Sequence, residues 1–321
     1  MPEIVAVGEP LVQFNAVSDG PLRHVSYFEK HAAGSEANVC VAAVRLGVDC
    51  GLITRLGLDE FGLFIYNWLR GEGVDVSHIK FDSERPTGIY FVQRNYPIPG
   101  VSDVLYYRRY SAASAMDPSD IDEDYVGAAR VFHTSGITLA ISDSARSTTI
   151  RGLEVARGKG VLASFDVNFR RKLWREVKEA VDALLGALRI TDILFLDDEE
   201  AKLLLNTSNP DDIFKELRSR FGIDKVILKL GVRGSMANWE GRVVKVNAFQ
   251  VPVKDPIGAG DAYAGVLLAS VLKGYDIEKA MIRASAAAAL VVMVRGDEEN
   301  LPREEDLERF LSGYGRQVDL R

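Results

Sequence analysis

The chain has 321 residues, 47% of them apolar, enough for the core of one large α/β domain or of two smaller ones. Its formal charge of −7 comes from acids and bases interspersed along the sequence, so no basic stripe exists to neutralise a nucleic-acid backbone or an anionic membrane surface. Two cysteines, Cys40 and Cys50, and four histidines at 24, 31, 78 and 133 fall at no metal-ligand spacing, which leaves the cysteines as small buried residues of a reducing cytosol.

The opening stretch, MPEIVAVGEPLVQF, has no basic n-region and predicts a first strand, Ile4–Val7, rather than a signal peptide; a cytoplasmic location follows as an expectation. Further apolar runs predict buried strands at Cys50–Thr54, Val131–Thr134, Val161–Phe165, Ile193–Leu196 and Val226–Leu230. Amphipathic stretches at Glu36–Leu46, Phe61–Arg70, Ser144–Arg157 and Asp211–Phe221 alternate with them, the pattern of a parallel sheet covered by helices on both faces. Leu11–Asn15 with Val25–Phe28, and Gly88–Arg94 with Val104–Tyr110, alternate side-chain types as half-exposed antiparallel strands do, so segments of about 11–28 and 88–110 predict a small projecting sheet, a lid. The apolar run Ala284–Val294 is about half the ~20 residues that span a bilayer, and predicts a buried helix. With no internal repeat and no linker long enough to divide it, residues 1–321 are expected to form a single domain.

Four stretches carry chemistry. In AAGSEANVCVAAVRLG (32–47), Gly34 and Asn38 stand at a loop-to-helix junction, although Asn38 alone also reads as an ordinary first-turn polar residue. In ASFDVNFRRKLW (163–174), a strand ends in Asp166, Asn168, Arg170, Arg171 and Lys172; such a cluster also describes a solvated loop, but carboxyl ends of parallel strands are where sites are built. KLGVRG (229–234) places a second glycine turn at a neighbouring strand end, where a ligand crevice forms.

The most telling stretch is KDPIGAGDAYAG (254–265). Val243–Val253 before it is rich in β-branched residues and predicts a strand, whereas Tyr263, Val266, Leu267 and Val271 after it recur with helical spacing. Gly258 and Gly260 let backbone N–H groups approach a ligand at a helix start, an anion cradle. Asp261 sits beside that cradle, where a carboxylate can take a proton from a hydroxyl attacking phosphorus; the helix dipole is expected to keep it ionised and weakly basic. By itself G-x-G-D also describes a tight turn and a helix-first-turn acid. A dinucleotide fingerprint is disfavoured by Tyr263 and by the late position, and a Walker A loop is absent.

Along essentially its whole length the chain resembles ribokinase-like (PfkB-family) sugar kinases. One family signature is matched from Gly34 to Gly47, ending in R-L-G, and the other, D-x-x-G-A-G-D, from Asp255 to Asp261. Within the family, YYRRYSAAS (106–114), DVNFRRKLW (166–174) and RGDEENLP (295–302) look most like archaeal 2-keto-3-deoxygluconate kinases. The resemblance implies a three-layer α/β/α fold with a lid sheet, and transfer of the ATP γ-phosphate to the terminal hydroxyl of a keto-deoxy sugar acid. It makes Asp261 the base and the backbone of Gly258, Ala259 and Gly260 the anion hole. The sugar would touch Gly34, Asn38, Tyr90, Tyr106, Arg108, Arg170 and Asp297, with Arg108 and Arg170 as two buried cations for its carboxylate. ATP with Mg²⁺ would run along Asn168, Asp197, Lys229, Gly231 and Gly234, and Glu200 would order metal-bound water.

Three positions depart from the family pattern. Ala33 replaces the first glycine of the front pair, Pro256 stands where Thr is commoner, and Asp197 to Glu200 (DDEE) lacks the Asn of the N-x-x-E metal helper, so it reads equally as an acidic helix start. The rival readings are a kinase for a neutral sugar or a nucleoside, a non-catalytic binding module, and a dehydrogenase. Exposed edges of the lid sheet predict a homo-oligomer, most simply a dimer.

Overall fold

The computed structural model describes residues 1–314. In chain order the strands are β1 (Ile4–Val7), β2 (Leu11–Ala16), β3 (Phe28–Ala33), β4 (Cys50–Gly57), β5 (Ile79–Asp82), β6 (Ile89–Gln93), β7 (Asp103–Tyr107), β8 (Val131–Ser135), β9 (Leu162–Asp166), β10 (Ile193–Asp197), β11 (Lys225–Lys229), β12 (Ser235–Trp239) and β13 (Arg242–Val246). The helices are α1 (Ser35–Arg45), α2 (Glu60–Glu72), α3 (Glu123–Gly127), α4 (Gly136–Ile141), α5 (Asp143–Gly158), α6 (Val177–Leu188), α7 (Asp198–Leu205), α8 (Pro210–Phe221), α9 (Ala259–Leu272), α10 (Ile277–Val292) and α11 (Glu304–Gly313).

Nine strands form the main sheet in the order β13-β12-β11-β10-β9-β8-β1-β4-β5. The run from β11 to β5 is parallel, and β12 and β13 join it antiparallel. Alternation along each strand feeds two cores. Ile4 and Ala6 pack on one face and Val5 and Val7 on the other; likewise Ile193 and Phe195 oppose Leu194 and Leu196. Helices α1, α2, α9, α10 and α11 cover the first face, and α3, α5, α6, α7 and α8 the second. This is the three-layer ribokinase-like architecture. The strand order reverses beside β1, between β4 and β8, and crevices open at the carboxyl ends of strands at such a point.

A second sheet of four strands, in the order β3-β2-β6-β7, forms the small sheet. Its edge strand β3 is not Val25–Phe28, as the alternation suggests: Leu22–His24 is a 3₁₀ turn, and β3 begins at Phe28 and pairs with β2 from Ala16↔Phe28 to Leu11↔Ala33. The expected strand at Val243–Val253 also ends early, at Val246. Its partner β12 starts at Ser235, which faces Val246, so beyond that residue no neighbour remains to pair with, and Pro252 would remove a ladder donor as well. Strands β5 and β12 carried no signal strong enough to be anticipated.

Candidate active site

At the start of α1, Ser35 through Ala43 are all buried, and Gly265 of α9 brings the two helices together. A Cβ at Gly265 would stand 2.7 Å from Ala42 Cβ and 2.8 Å from the Val39 carbonyl, so a side chain there would force the helices apart. The close crossing sets the first turn of α1 against the first turn of α9. There Ser35 Oγ donates to Asp261 Oδ1 at 2.7 Å and Asn38 Nδ2 donates to Oδ2 at 2.9 Å.

Gly258 is the N-cap of α9 with φ +80°, in the left-handed region. A Cβ on it would meet Asp297 Oδ1 at 2.4 Å. That carboxylate accepts from Asn38 Nδ2 at 2.7 Å and from Tyr90 OH at 3.1 Å, so Asn38 bridges Asp261 and Asp297. Asn168, at the end of β9, takes the strained φ of +37°, which turns its Nδ2 to Ser35 Oγ at 3.0 Å and to Asp261 Oδ1 at 3.4 Å.

Two cavities open at these strand ends. The larger, about 730 Å³, is lined by Gly34, Asn38, Tyr90, Tyr106, Arg108, Asn168, Arg170, Asp197, Glu200, Lys229, Gly231, Gly258, Gly260, Asp261 and Asp297. The smaller, about 340 Å³, is walled mainly by apolar groups such as Phe249, Val251, Ala288 and Val292, and it takes in Ala259 and Gly234. Lys229, Gly231, Val232, Pro256 and Gly260 belong to both, so the cavities share a wall at the start of α9. A polar chamber thus adjoins an apolar slot, with the glycine turn between them.

The electrostatics differ from what sequence alone suggested. Burial raises the pKa of Asp261 above its ordinary value, with the Asp166 charge adding to the rise, and the hydrogen bonds from Ser35 and Asn38 and the charge of Arg170 oppose it without cancelling it. The direction is opposite to that expected of a dipole-acidified aspartate, and burial is its largest cause. Asp297 is also pushed well up, first by burial and then by the charge of Asp261.

Lys229 donates to both oxygens of Asp166 at 2.8 Å; burial lowers its pKa, but Asp166 and Glu200 outweigh that and keep it protonated. Burial raises Glu200 to about 7. Its two oxygens accept from Phe169 N at 2.7 Å and Asp197 N at 2.8 Å, and Asp197 in turn caps Glu200 N at 2.8 Å. The acidic first turn of α7 is therefore a capping box.

The pair of buried cations is only half present. Arg108 is 6% exposed and its Nε donates to Glu9 Oε2 at 2.6 Å, whereas Arg170 stands exposed at the cavity wall. Glu9 and Ser35 were not anticipated. Each had a signal: Glu9 closes the first parallel strand at its carboxyl end, and Ser35 lies between Gly34 and Asn38.

The model of the pfkB family of carbohydrate kinases matches residues 1–304. This chain belongs to that family. The kinase is 46% identical to a 2-dehydro-3-deoxygluconokinase of Thermoproteus tenax over 97% of its own chain and 94% of that protein. It is 30% identical to a 2-dehydro-3-deoxygalactonokinase of Haloferax volcanii, covering 99% of both chains. An Escherichia coli protein provisionally described as a ribokinase II, solved with ATP and Mg²⁺, superposes with a TM-score of 0.90 at 28% identity, over 98% of this chain and 100% of that one. The kinase binds ATP and phosphorylates an alcohol group of a sugar, which excludes the dehydrogenase and the non-catalytic module. Among its described residues no helix is long and apolar enough to cross a membrane.

Proposed function

We propose that the kinase phosphorylates the terminal hydroxyl of 2-keto-3-deoxygluconate, and also accepts the 2-keto-3-deoxygalactonate epimer, as a step of an Entner-Doudoroff-type pathway. The observation that carries this reading is the shared wall: Asp261 faces the polar chamber one residue beyond Gly260, which belongs to both cavities. The sugar lies in the chamber and the adenine in the apolar slot, which places the γ-phosphate over the amides of Gly258, Ala259 and Gly260. The acceptor oxygen attacks γ-phosphorus, its proton passes to an Asp261 carboxylate oxygen, and the bond from phosphorus to the bridging β–γ oxygen breaks to release ADP.

Lys229, held by Asp166, faces the transferred group, and Asn168 orients Asp261 through Ser35. Gly231 and Gly234 give the nucleotide close access to backbone. Among the described residues no cluster of three acidic, cysteine or histidine side chains could chelate a metal, which suits Mg²⁺ held chiefly by phosphate oxygens with a few protein-ordered waters. Such an ion would neutralise the phosphates. Asp197 and Glu200, at the acidic first turn of α7, are the residues that would hold its water.

On the acceptor side Arg170 takes the carboxylate, and Tyr106, Tyr90, Gly34, Asn38 and Asp297 surround the hydroxyls. The Glu9–Arg108 pair is the one feature that favours a neutral sugar instead, because it compensates one of the two cations. Competing turnover decides. We expect kcat/KM for the keto-deoxy acid to exceed that for fructose or ribose by at least a hundredfold, and a larger value for fructose would overturn the assignment.

The edges of the small sheet are β3 and β7, and on β7 Leu105 and Tyr107 point away from the cavity at 47% and 58% exposure. A second copy of the chain covers this face. Light scattering after size exclusion should give a dimer or larger, shifted toward monomer by Leu105→Lys; a monomeric wild type would contradict the idea.

A further inference from the structure

Behind the acceptor chamber runs a chain of buried polar side chains that leaves Asp261 and returns to its own loop. Asn38 links Asp261 to Asp297, and Asp297 accepts from Tyr90 OH at 3.1 Å. Tyr90 OH accepts from Gln13 Nε2 at 2.6 Å, and Gln13 Oε1 accepts from Asn15 Nδ2 at 3.2 Å. Asn15 Oδ1 then accepts from Arg94 Nε at 2.7 Å, and Arg94 Nη2 donates to Asp255 Oδ2 at 2.6 Å. Asp255 Oδ1 finally accepts from Ile257 N at 3.2 Å, inside the turn that delivers Gly258.

Neither Arg94 nor Asp255 lines either cavity, and they are 4% and 0% exposed. Yet Arg94 directly follows β6 of the small sheet, and Asp255 begins the turn that carries the anion-binding amides. The guanidinium thereby ties one to the other, its Nε held by Asn15 of the small sheet and its Nη2 in a charge-assisted bond to Asp255 of the turn.

We propose that Arg94 is a positioning residue that couples the two halves of the site: through Asp255 it transmits the seating of the acceptor under the small sheet to the amides that bind the migrating phosphoryl group. Tyr90 and Asp297 are where an acceptor would press on the circuit, and Ile257 is where the circuit meets the phosphate side. Such coupling is reciprocal, so acceptor and nucleotide must raise each other's affinity by the same factor. The inference rests on the reading of the two cavities given above.

The test is calorimetric titration of the wild-type kinase with Mg²⁺ and an imido-bridged, non-hydrolysable ATP analogue, with and without a saturating acceptor. The acceptor is the sugar that the wild type turns over fastest, so an error about the substrate changes only the ligand used. We expect the acceptor to tighten the analogue about tenfold in the wild type, and the factor to fall to within twofold of one in Arg94→Met. Because Arg94→Met leaves a buried carboxylate unpaired and weakens the fold, the decisive variant is the double substitution Arg94→Met with Asp255→Asn, which strands no charge. If Arg94 positions the turn, the double variant regains thermal stability while the coupling stays lost. Coupling that returns along with stability, or that is absent from the wild type, overturns the proposal.

Discussion

Asp261 is a carboxyl whose surroundings oppose its charge more than they support it. Its pKa is raised from the usual 3.8 by burial first, then by Asp166, while Ser35, Asn38 and Arg170 pull the other way. A base acts only when unprotonated, so activity is lost as the pH falls through this raised value. The acid limb of kcat/KM against pH should therefore lie above the ordinary aspartate range, and Arg170→Ala should move it higher still by removing one of the opposing charges. A limb at the ordinary position, unmoved in Arg170→Ala, would contradict this electrostatic picture. Candidate residues of this kind were suggested by local backbone chemistry, although a glycine pair before an acid at a helix start also describes a tight turn with a first-turn acid. What sequence could not supply was the sign of the balance, because desolvation at Asp261 comes from walls contributed by segments far away in the chain.

The start of α9 is a turn that admits only glycine at one position. Gly258 needs φ +80°, and a Cβ there would also reach Asp297 Oδ1 at 2.4 Å. Gly222, after α8, has a similar φ of +75°, but a Cβ there would meet nothing within 4 Å. Alanine at either site costs about 1–2 kcal/mol in backbone strain, but only Gly258→Ala displaces Asp297 from Asn38. Thermal unfolding should show a loss in both variants, the larger in Gly258→Ala because it also breaks a buried hydrogen bond. Turnover should fall more than tenfold in Gly258→Ala and stay near wild type in Gly222→Ala; equal turnover in both would show that the turn is structural. The elements themselves were read most accurately where strands are buried on both faces, as at Ile4–Val7 and Ile193–Leu196, since a continuous apolar run has few alternatives. They were misread where pairing decides the outcome. Nothing in VVKVNAFQVPV says that the partner of Val246 is the last one available, and nothing in the alternation near Val25 says that the paired stretch begins at Phe28.

Across the whole molecule, the sheet's reversal beside β1 places the ends of β1, β9, β10 and β11 around one opening, and the crossing of α1 with α9 closes it from the side. The α/β architecture was legible from alternating runs, and so was the gathering of the candidate residues around one opening. Its closure was not: Glu9 and Arg108 stand 99 residues apart, and Arg94 and Asp255 stand 161 apart, so no local pattern joins them. The neutralised Arg108 is the clearest consequence, because it leaves the acid end of the acceptor to Arg170 and makes the junction of the two cavities, rather than a pair of cations, the centre of the account. The most direct test of that centre is a structure of the kinase with Mg²⁺, the imido-bridged ATP analogue and 2-keto-3-deoxygluconate. The terminal phosphate is expected on the amides of Gly258 to Gly260, with an Asp261 oxygen within hydrogen-bond reach of the sugar's terminal hydroxyl. A terminal phosphate bound away from that turn, or a hydroxyl out of reach of Asp261, would contradict it.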